Sequence, residues 1–400
     1  MSEPKPILIA GAGIGGLTAA LACADKGMAV SMLERATELG EVGAGIQVAA
    51  NGTHVLEKLG LGAPLEEIGF KPEAATLRLG QSGRTVFSNP LGASAKDRYG
   101  AWYYHVHRAD LHRILADAAI AHPNIDLRLG CGVESFLDDG VSVAARLVDG
   151  TEVSGAALIG ADGIHSSIRE GLFGKDAPRF TGNVAWRLLV PTEKLPAGLI
   201  PPHATVWTGP QGHAVTYYVC GGKQVNFVGI VERKGWQVEG WLERGDIGEL
   251  KRDFEPWCST IHQLIDAADE TTCFKWALFD RDPLHVWSKG RVTLLGDACH
   301  PMLPFMAQGA CMAIEDAWVL ATELAGANDP AQAFLSYEQK RKKRTARVQM
   351  AARANAKRFH KGAPAEQLAT YGPMWLAARI KPDLLNKPFD WVYGKDVTRS

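Results

Sequence analysis

Four glycines inside an uncharged run decide what the start of this chain can become. Residues 7 to 24 read ILIAGAGIGGLTAALACA, eighteen positions without a charge. Length alone would let such a run cross a membrane as a helix. Gly11, Gly13, Gly15 and Gly16 argue otherwise, because they divide it into a short β-branched strand, a tight turn and a helix. The flanks agree: KPILIA reads as a strand, residues 14–26 as a helix and AVSMLER as a second strand. GAGIGG therefore fits G-x-G-x-x-G between a strand and a helix. In that setting Gly11 permits the turn, Gly13 lets the backbone approach a pyrophosphate, and Gly16 lets the helix pack close to the strand. The helix N-terminus adds free N–H groups and a partial positive charge. Glu34 closes the second strand, 23 residues after Gly11, where a carboxylate accepts from the hydroxyls of an adenosine ribose. The unit predicts dinucleotide binding.

Composition narrows the rest. The 400 residues allow one large or two ordinary domains, and 46% hydrophobic content allows a substantial core. Net charge is −1 and the pI about 6.9, which argues against nucleic acid or an acidic membrane surface as the main partner. The basic run Lys340, Arg341, Lys342, Lys343, Arg344 reads as a solvated helix face. Seven scattered cysteines without a C-x-x-C pair indicate a reduced, cytoplasmic chain with no zinc site and no disulfide-reductase chemistry. MSEPKP lacks the layout of a signal peptide.

Further on, residues 107–122 read as an amphipathic helix, and ALIGADG (157–163) as a buried strand entering a turn. Between about 178 and 280 short β-rich runs alternate with Gly and Pro turns: NVAWRLLV, HAVTYYVC and QVNFVGIV. They predict an inserted antiparallel sheet. RVTLLGDACH (291–300) returns to the strand-then-glycine texture, and the chain beyond about 330 is helical and charged. The expected class is α/β. Residues 1–177 with 281–330 form a Rossmann-type domain, 178–280 a second, sheet domain, and 331–400 a helical tail.

Two later stretches pair with GAGIGG. GADGIHSSIR (160–169) carries an Asp-Gly after a strand, and GDACHP (296–301) a Gly-Asp after another. Together with LERATELGEVGAGIQVAANG (33–52), HRADL (107–111) and FDWVYGKD near the C-terminus, they match a family in order and spacing. Over nearly its whole length the chain resembles the single-component FAD-dependent aromatic hydroxylases, above all those of salicylate, 3-hydroxybenzoate and 6-hydroxynicotinate. The resemblance implies a Rossmann-type FAD-binding domain with an inserted β-sheet substrate domain and C-terminal helices. It implies FAD as cofactor, NADH or NADPH as reductant, and O2, with a flavin C4a-hydroperoxide attacking a small phenolic acid. Partners would be that aromatic substrate, without nucleic acid or membrane insertion; a homodimer is an assembly this reading allows.

Carried over by position, Gly11, Gly13 and Gly16 would hold the FAD pyrophosphate and Glu34 the adenosine ribose. Arg35 would lie beside the adenine, with Val133 touching the same region. Gln47 and Arg108 would contact the ribityl and phosphate part, and Asp297 the ribityl chain. Asp162 would support the pyrophosphate and help bind the nicotinamide nucleotide; its plainer reading is a cap on the turn after its strand. Arg108 has a plainer reading too, as a surface ion-pair partner. Reduced flavin is an anion, so a helix N-terminus aimed at its edge would stabilise it. The segment GACMAIEDAWVLATEL (309–324) offers the backbone N–H groups of Gly309, Ala310 and Cys311 for that purpose. Pro301 and Pro304 would wall a dry chamber.

A phenol attacks more readily once its proton is removed or shared, so a base is expected. His213 and Tyr217 lie four residues apart in GPQGHAVTYYVC and face the same side of a strand. A His and a Tyr at this spacing lie at the substrate in the resembling enzymes; Tyr218 is the alternative register. Arg187 and His300 are further pocket candidates, and His300 reads equally as a structural histidine. The chain departs from its relatives at three positions. Gln47 stands where the hydroxynicotinate relatives have His. Pro304 and Phe305 stand where many salicylate-type relatives have Pro-His, and Pro304 where the 3-hydroxybenzoate relatives have Gln. Alternatives to a phenolic-acid hydroxylase are a flavin monooxygenase of a larger substrate, by hydroxylation or epoxidation, and a non-catalytic dinucleotide-binding protein.

Overall fold

The computed structural model describes residues 5–40, 43–233, 235, 243–380 and 385–399. Glu41 and Val42, within the motif at 33–52, lie outside them.

The apolar runs of the first region become the middle of a six-stranded sheet. Its order is Ser288–Lys289, Val292–Leu294, Ala157–Gly160, Ile7–Ala10, Val30–Leu33, Ile125–Arg128. All neighbours are parallel except the first pair. Ile7–Ala10, Val30–Leu33 and Ala157–Gly160 are buried at every position, as strands covered on both faces must be. One cover is the helix Ile14–Asp25, and the run at 7–24 is thus split as the glycines require. Among the described residues no helix is long and apolar enough to cross a membrane.

The second sheet has seven strands in the order Phe274–Asp280, Arg179–Pro191, Gln224–Glu232, Gly212–Val219, His203–Gly209, Ala74–Leu79, Thr85–Pro90. The sequence places this sheet within 178–280; the structure adds the hairpin Ala74–Leu79/Thr85–Pro90 from far upstream. That hairpin joins by a parallel pairing to His203–Gly209, so the sheet is not wholly antiparallel. Period-two alternation sorts its side chains. Trp186, Leu188, Ala214, Val225 and Phe227 point to one face and pack on Leu250, Phe254, Ile261 and Leu264, from the helices Ile247–Asp253 and Ser259–Asp266 and the turn after the first. Ala185, Ile230, Trp276 and Leu278 point the other way and meet Leu303, Phe305 and Met306.

The C-terminal helices are built into this frame. Pro330–Phe359 has 30 residues, about 45 Å of helix. Phe334 and Tyr337 near its start join the core of the parallel sheet, and Phe359 at its end packs on the second. The basic run at 340–344 therefore is not a solvated face throughout. Arg341 is fully buried, because its partners are buried carboxylates described below.

Candidate active site

Four strands of the parallel sheet end in residues singled out from sequence. Val292–Leu294 leads to Asp297, Ala157–Gly160 to Asp162, Ile7–Ala10 to the glycine turn, and Val30–Leu33 to Glu34. These strands are consecutive in the sheet and parallel, so the four features stand in one row along its carboxyl edge. Neighbouring strands lie about 4.8 Å apart, so the row spans about 14 Å along the edge where dinucleotides bind in such sheets.

The turn itself is shaped by close approach. Gly11 has φ +100°, and a Cβ there would lie 2.6 Å from the Ala161 carbonyl oxygen. A Cβ at Gly16 would fall on the carbonyl oxygen of Gly11. Gly15 faces Leu295 and Ala313, seating the first helix against Gly309–Gly326. Gly13 differs: a Cβ there would meet nothing within 4 Å, which leaves its side open to a ligand. Glu34 braces the loop, accepting from the N–H groups of Ala12 at 2.6 Å and Ala36 at 2.8 Å. Arg35 is exposed and packs against Gly132, beside Val133.

Asp162 serves both of its readings. Its Oδ2 accepts from Ser167 Oγ and the Ile168 N–H, each at 3.2 Å, so it does cap the helix Ser167–Phe173. Its Oδ1 is buried with no hydrogen-bond partner among the described residues. Burial raises the carboxyl pKa, against the hydrogen bonds from Ser166, Ser167 and Ile168 that lower it. An unpaired buried oxygen is costly, and a donor from a ligand would relieve it. Asp297 is exposed on the turn Gly296–Ala298 at the end of the row.

The helix Gly309–Gly326 begins without a side-chain cap, after Ala307 in a left-handed conformation (φ 49°). The first N–H groups of a helix, here those of Gly309, Ala310 and Cys311, have no partner inside it. Cys311 Sγ locks this end onto the strand Gly45–Val48, 3.4 Å from the Ala49 nitrogen and 3.7 Å from the Gln47 carbonyl oxygen. Gln47 Oε1 accepts from the Tyr103 hydroxyl at 2.6 Å. Arg108 opens the helix Arg108–Ala121, and its N–H donates to Ala44. The free donors, the open face of Gly13 and the orphaned Asp162 oxygen fit an FAD.

Glu315 and Asp316 explain the long uncharged loop before them. Both are fully buried on Gly309–Gly326. Arg341 pairs with both, at 2.6 Å to Asp316, and Arg344 reaches Glu315 at 2.7 Å. Burial pushes both carboxyls up, but Arg341, with Arg344 at Glu315 and His300 at Asp316, holds each below its ordinary range. His300 Nε2 bonds to Asp316, and Asn51 bridges Glu315 to Gln308. Both ends of the 300–308 loop are thus tied to one charged cluster. His300 lies tilted against Trp287, centroids 5.3 Å apart, and sits in this cluster rather than on the sheet face that bears His213 and Tyr217.

That face belongs to the second sheet. His213 and Tyr217 do share one face of Gly212–Val219, as their spacing requires, and His213 meets the loop. The His213 ring lies edge-on to Phe305, centroids 4.8 Å apart. Tyr217 contacts His105 at 4.7 Å and is buried against Gly45. Burial raises its phenol pKa, against the opposing charge of Arg187. Pro304 is exposed while Phe305 is buried, so of the two departures Phe305 is the one against the sheet. Tyr218 takes the other face, its hydroxyl donating to Ile200.

Arg187 is the least ordinary residue here. It is 1% exposed, and neither terminal nitrogen has a hydrogen-bond partner among the described residues. Phe274 and Trp276 flank its guanidinium at 4.8 and 5.4 Å. Burial, and then the charge of Arg108, lower its pKa to about 10, with Tyr217 opposing. Sequence reasoning missed Asn226, whose Oδ1 accepts from Gly45 N–H at 3.0 Å and whose Nδ2 is buried without a partner among the described residues. The available signal was an amide flanked by apolar residues inside the strand run QVNFVGIV.

Fold and site define a FAD-dependent monooxygenase of aromatic rings. The chain belongs to the family described as FAD binding domain, whose model matches residues 5–352. It is 37% identical to a 3-amino-4-hydroxybenzoate 2-monooxygenase of Streptomyces platensis, across 98% of this chain and 97% of the relative. It is 38% identical to a 3-hydroxybenzoate 6-hydroxylase of Aquipseudomonas alcaligenes, across 98% of both. Among solved structures it resembles Klebsiella pneumoniae HpxO complexed with FAD and uric acid, with TM-score 0.84, 30% identity and 94% of each chain covered.

Proposed function

We propose that this chain hydroxylates a small phenolic aromatic acid at the expense of NAD(P)H and O2, and that Arg187 holds the acid's carboxylate. The observation that carries this is a buried guanidinium without a hydrogen-bond partner among the described residues, on the same sheet face as His213 and Tyr217. A buried charge without a partner costs several kcal/mol, and a bidentate carboxylate would offset that cost. Arg108, coupled electrostatically to Arg187, adds to the positive field.

In this reading the FAD lies along the row at the carboxyl edge of the parallel sheet. Gly11, Gly13 and Gly16 take its pyrophosphate, Glu34 and Arg35 with Val133 its adenosine end, and Gln47, Arg108, Asp162 and Asp297 its central chain. The N–H groups of Gly309, Ala310 and Cys311 face the ring's anionic edge. When bound and reduced, the cofactor supplies activated oxygen. The protein's part is to place the ring, remove its proton and keep water out. Arg187 anchors the carboxylate, His213 and Tyr217 meet the phenol, and Leu303, Phe305, Met306 and Trp276 make the walls apolar.

Arg187→Met tests the assignment. It is expected to raise KM for the best phenolic acid by about 100-fold, the loss of one buried charge-assisted pair, while a neutral phenol is turned over as by the wild type. An equal loss for acid and neutral phenol would remove Arg187 from carboxylate recognition.

A further inference from the structure

His213 does not stand alone. Its Nδ1 lies 2.8 Å from Nε2 of His360, and His360 Nδ1 lies 2.6 Å from Glu232 Oε1. The chain of contacts runs from inside to outside. His213 is 1% exposed, the His360 side chain 3%, and the Glu232 side chain 51%. Phe305 and Phe359 pack against the His213 ring, at 4.8 and 5.1 Å. Glu232 is held by its N–H, which donates to the Gln211 carbonyl beside the start of the His213 strand. The other charges nearby point elsewhere: Arg233 pairs with Glu249 and Asp253, and Lys361 with Glu366.

We propose that Glu232 and His360 are positioning residues that fix His213 as a base toward the substrate and carry the phenol proton to solvent. This rests on the reading above that places His213 at the phenol. The tautomers follow from the partners. An ionised carboxylate only accepts, so His360 Nδ1 carries a proton and donates it. In a neutral ring Nε2 of His360 is then the acceptor, and His213 Nδ1 must carry the proton that bonds to it. That leaves the lone pair of His213 on Nε2, the nitrogen away from His360. Burial, and then His360, hold the His213 pKa well below the usual value, so the ring starts neutral.

The same burial makes an imidazolium at His213 expensive, which is why a relay serves better than a lone base. The phenol O–H breaks as an N–H forms at His213 Nε2. The Nδ1–H of His213 passes to His360 Nε2, and the Nδ1–H of His360 passes to Glu232, which releases it to water. Both rings end neutral and Glu232 is a carboxylate again; the new negative charge lies on the phenolate in the field of Arg187, balanced by the proton released to water.

The test uses the FAD-loaded protein labelled with 15N at histidine. Wild-type His213 is expected as the Nδ1–H tautomer from pH 6 to 8, on the order of the physiological range. Glu232→Leu should populate the Nε2–H tautomer and lower kcat for the phenolic acid about 10- to 100-fold, the usual effect of losing a group that orients a histidine. Glu232→Gln should keep the tautomer, since its carbonyl still accepts, yet slow turnover with a larger solvent isotope effect. A wild-type Nε2–H tautomer, or a Glu232→Leu protein with the wild-type tautomer, would overturn the relay. Wild-type protein that hydroxylates no phenolic acid would instead overturn the functional reading on which it rests.

Discussion

At Gly45 there is no room for a side chain. A Cβ there would lie 2.6 Å from Tyr217 Cε2, 2.8 Å from its hydroxyl and 2.9 Å from Asn226 Cγ. This glycine sets how closely the strand Gly45–Val48 approaches Tyr217 and Asn226. Gly45→Ala is expected to push Tyr217 aside and cut kcat/KM about 100-fold, the cost of misplacing a positioned group by about 1 Å, with FAD content unchanged. Product yield per NADH equal to wild type would show that Tyr217 does not depend on this contact. That His213 and Tyr217 share a face was legible because strand alternation is local: residues four apart along one strand point the same way. Gly45, Asn226 and His360 were not. Gly45 and Asn226 meet across 181 residues of sequence, and His213 and His360 across 147.

Among the elements, the helix Gly309–Gly326 depends on a neighbour that looked solvated. The run KRKKR at 340–344 has the composition of a surface, yet Arg341 and Arg344 turn inward to Glu315 and Asp316. The hint in the sequence was the acid pair itself, the first charges after seventeen uncharged positions from 298 to 314. A buried carboxylate needs a cation, and the nearest basic run supplies it. Arg341→Met should destabilise the protein by about 3–5 kcal/mol, because two buried carboxylates lose a shared partner. Urea denaturation at neutral pH reads this directly; a loss under about 1 kcal/mol, the scale of a surface pair, would show the cluster to be well solvated.

For the whole molecule, the parallel sheet was legible because its strands are continuous apolar runs punctuated by Gly-rich turns, and so were the turn residues at their ends. The hairpin at 74–90 was not, since nothing local shows that it adds its edge to a sheet more than a hundred residues further on. The long helix Pro330–Phe359 joins the two halves, with Tyr337 in the core of one and Phe359 against the other. We propose that the row at the carboxyl edge of the parallel sheet, the tethered loop and the sheet face bearing Arg187 together hydroxylate phenolic acids. The most direct measurement is NADH oxidation by the FAD-loaded protein in air, with salicylate, the hydroxybenzoates and the hydroxynicotinates in turn, and mass analysis of the products. At least one phenolic acid is expected to accelerate NADH oxidation and to gain a single oxygen atom, or to exchange its carboxylate for one. Hydrogen peroxide alone, with every acid recovered unchanged, would contradict it.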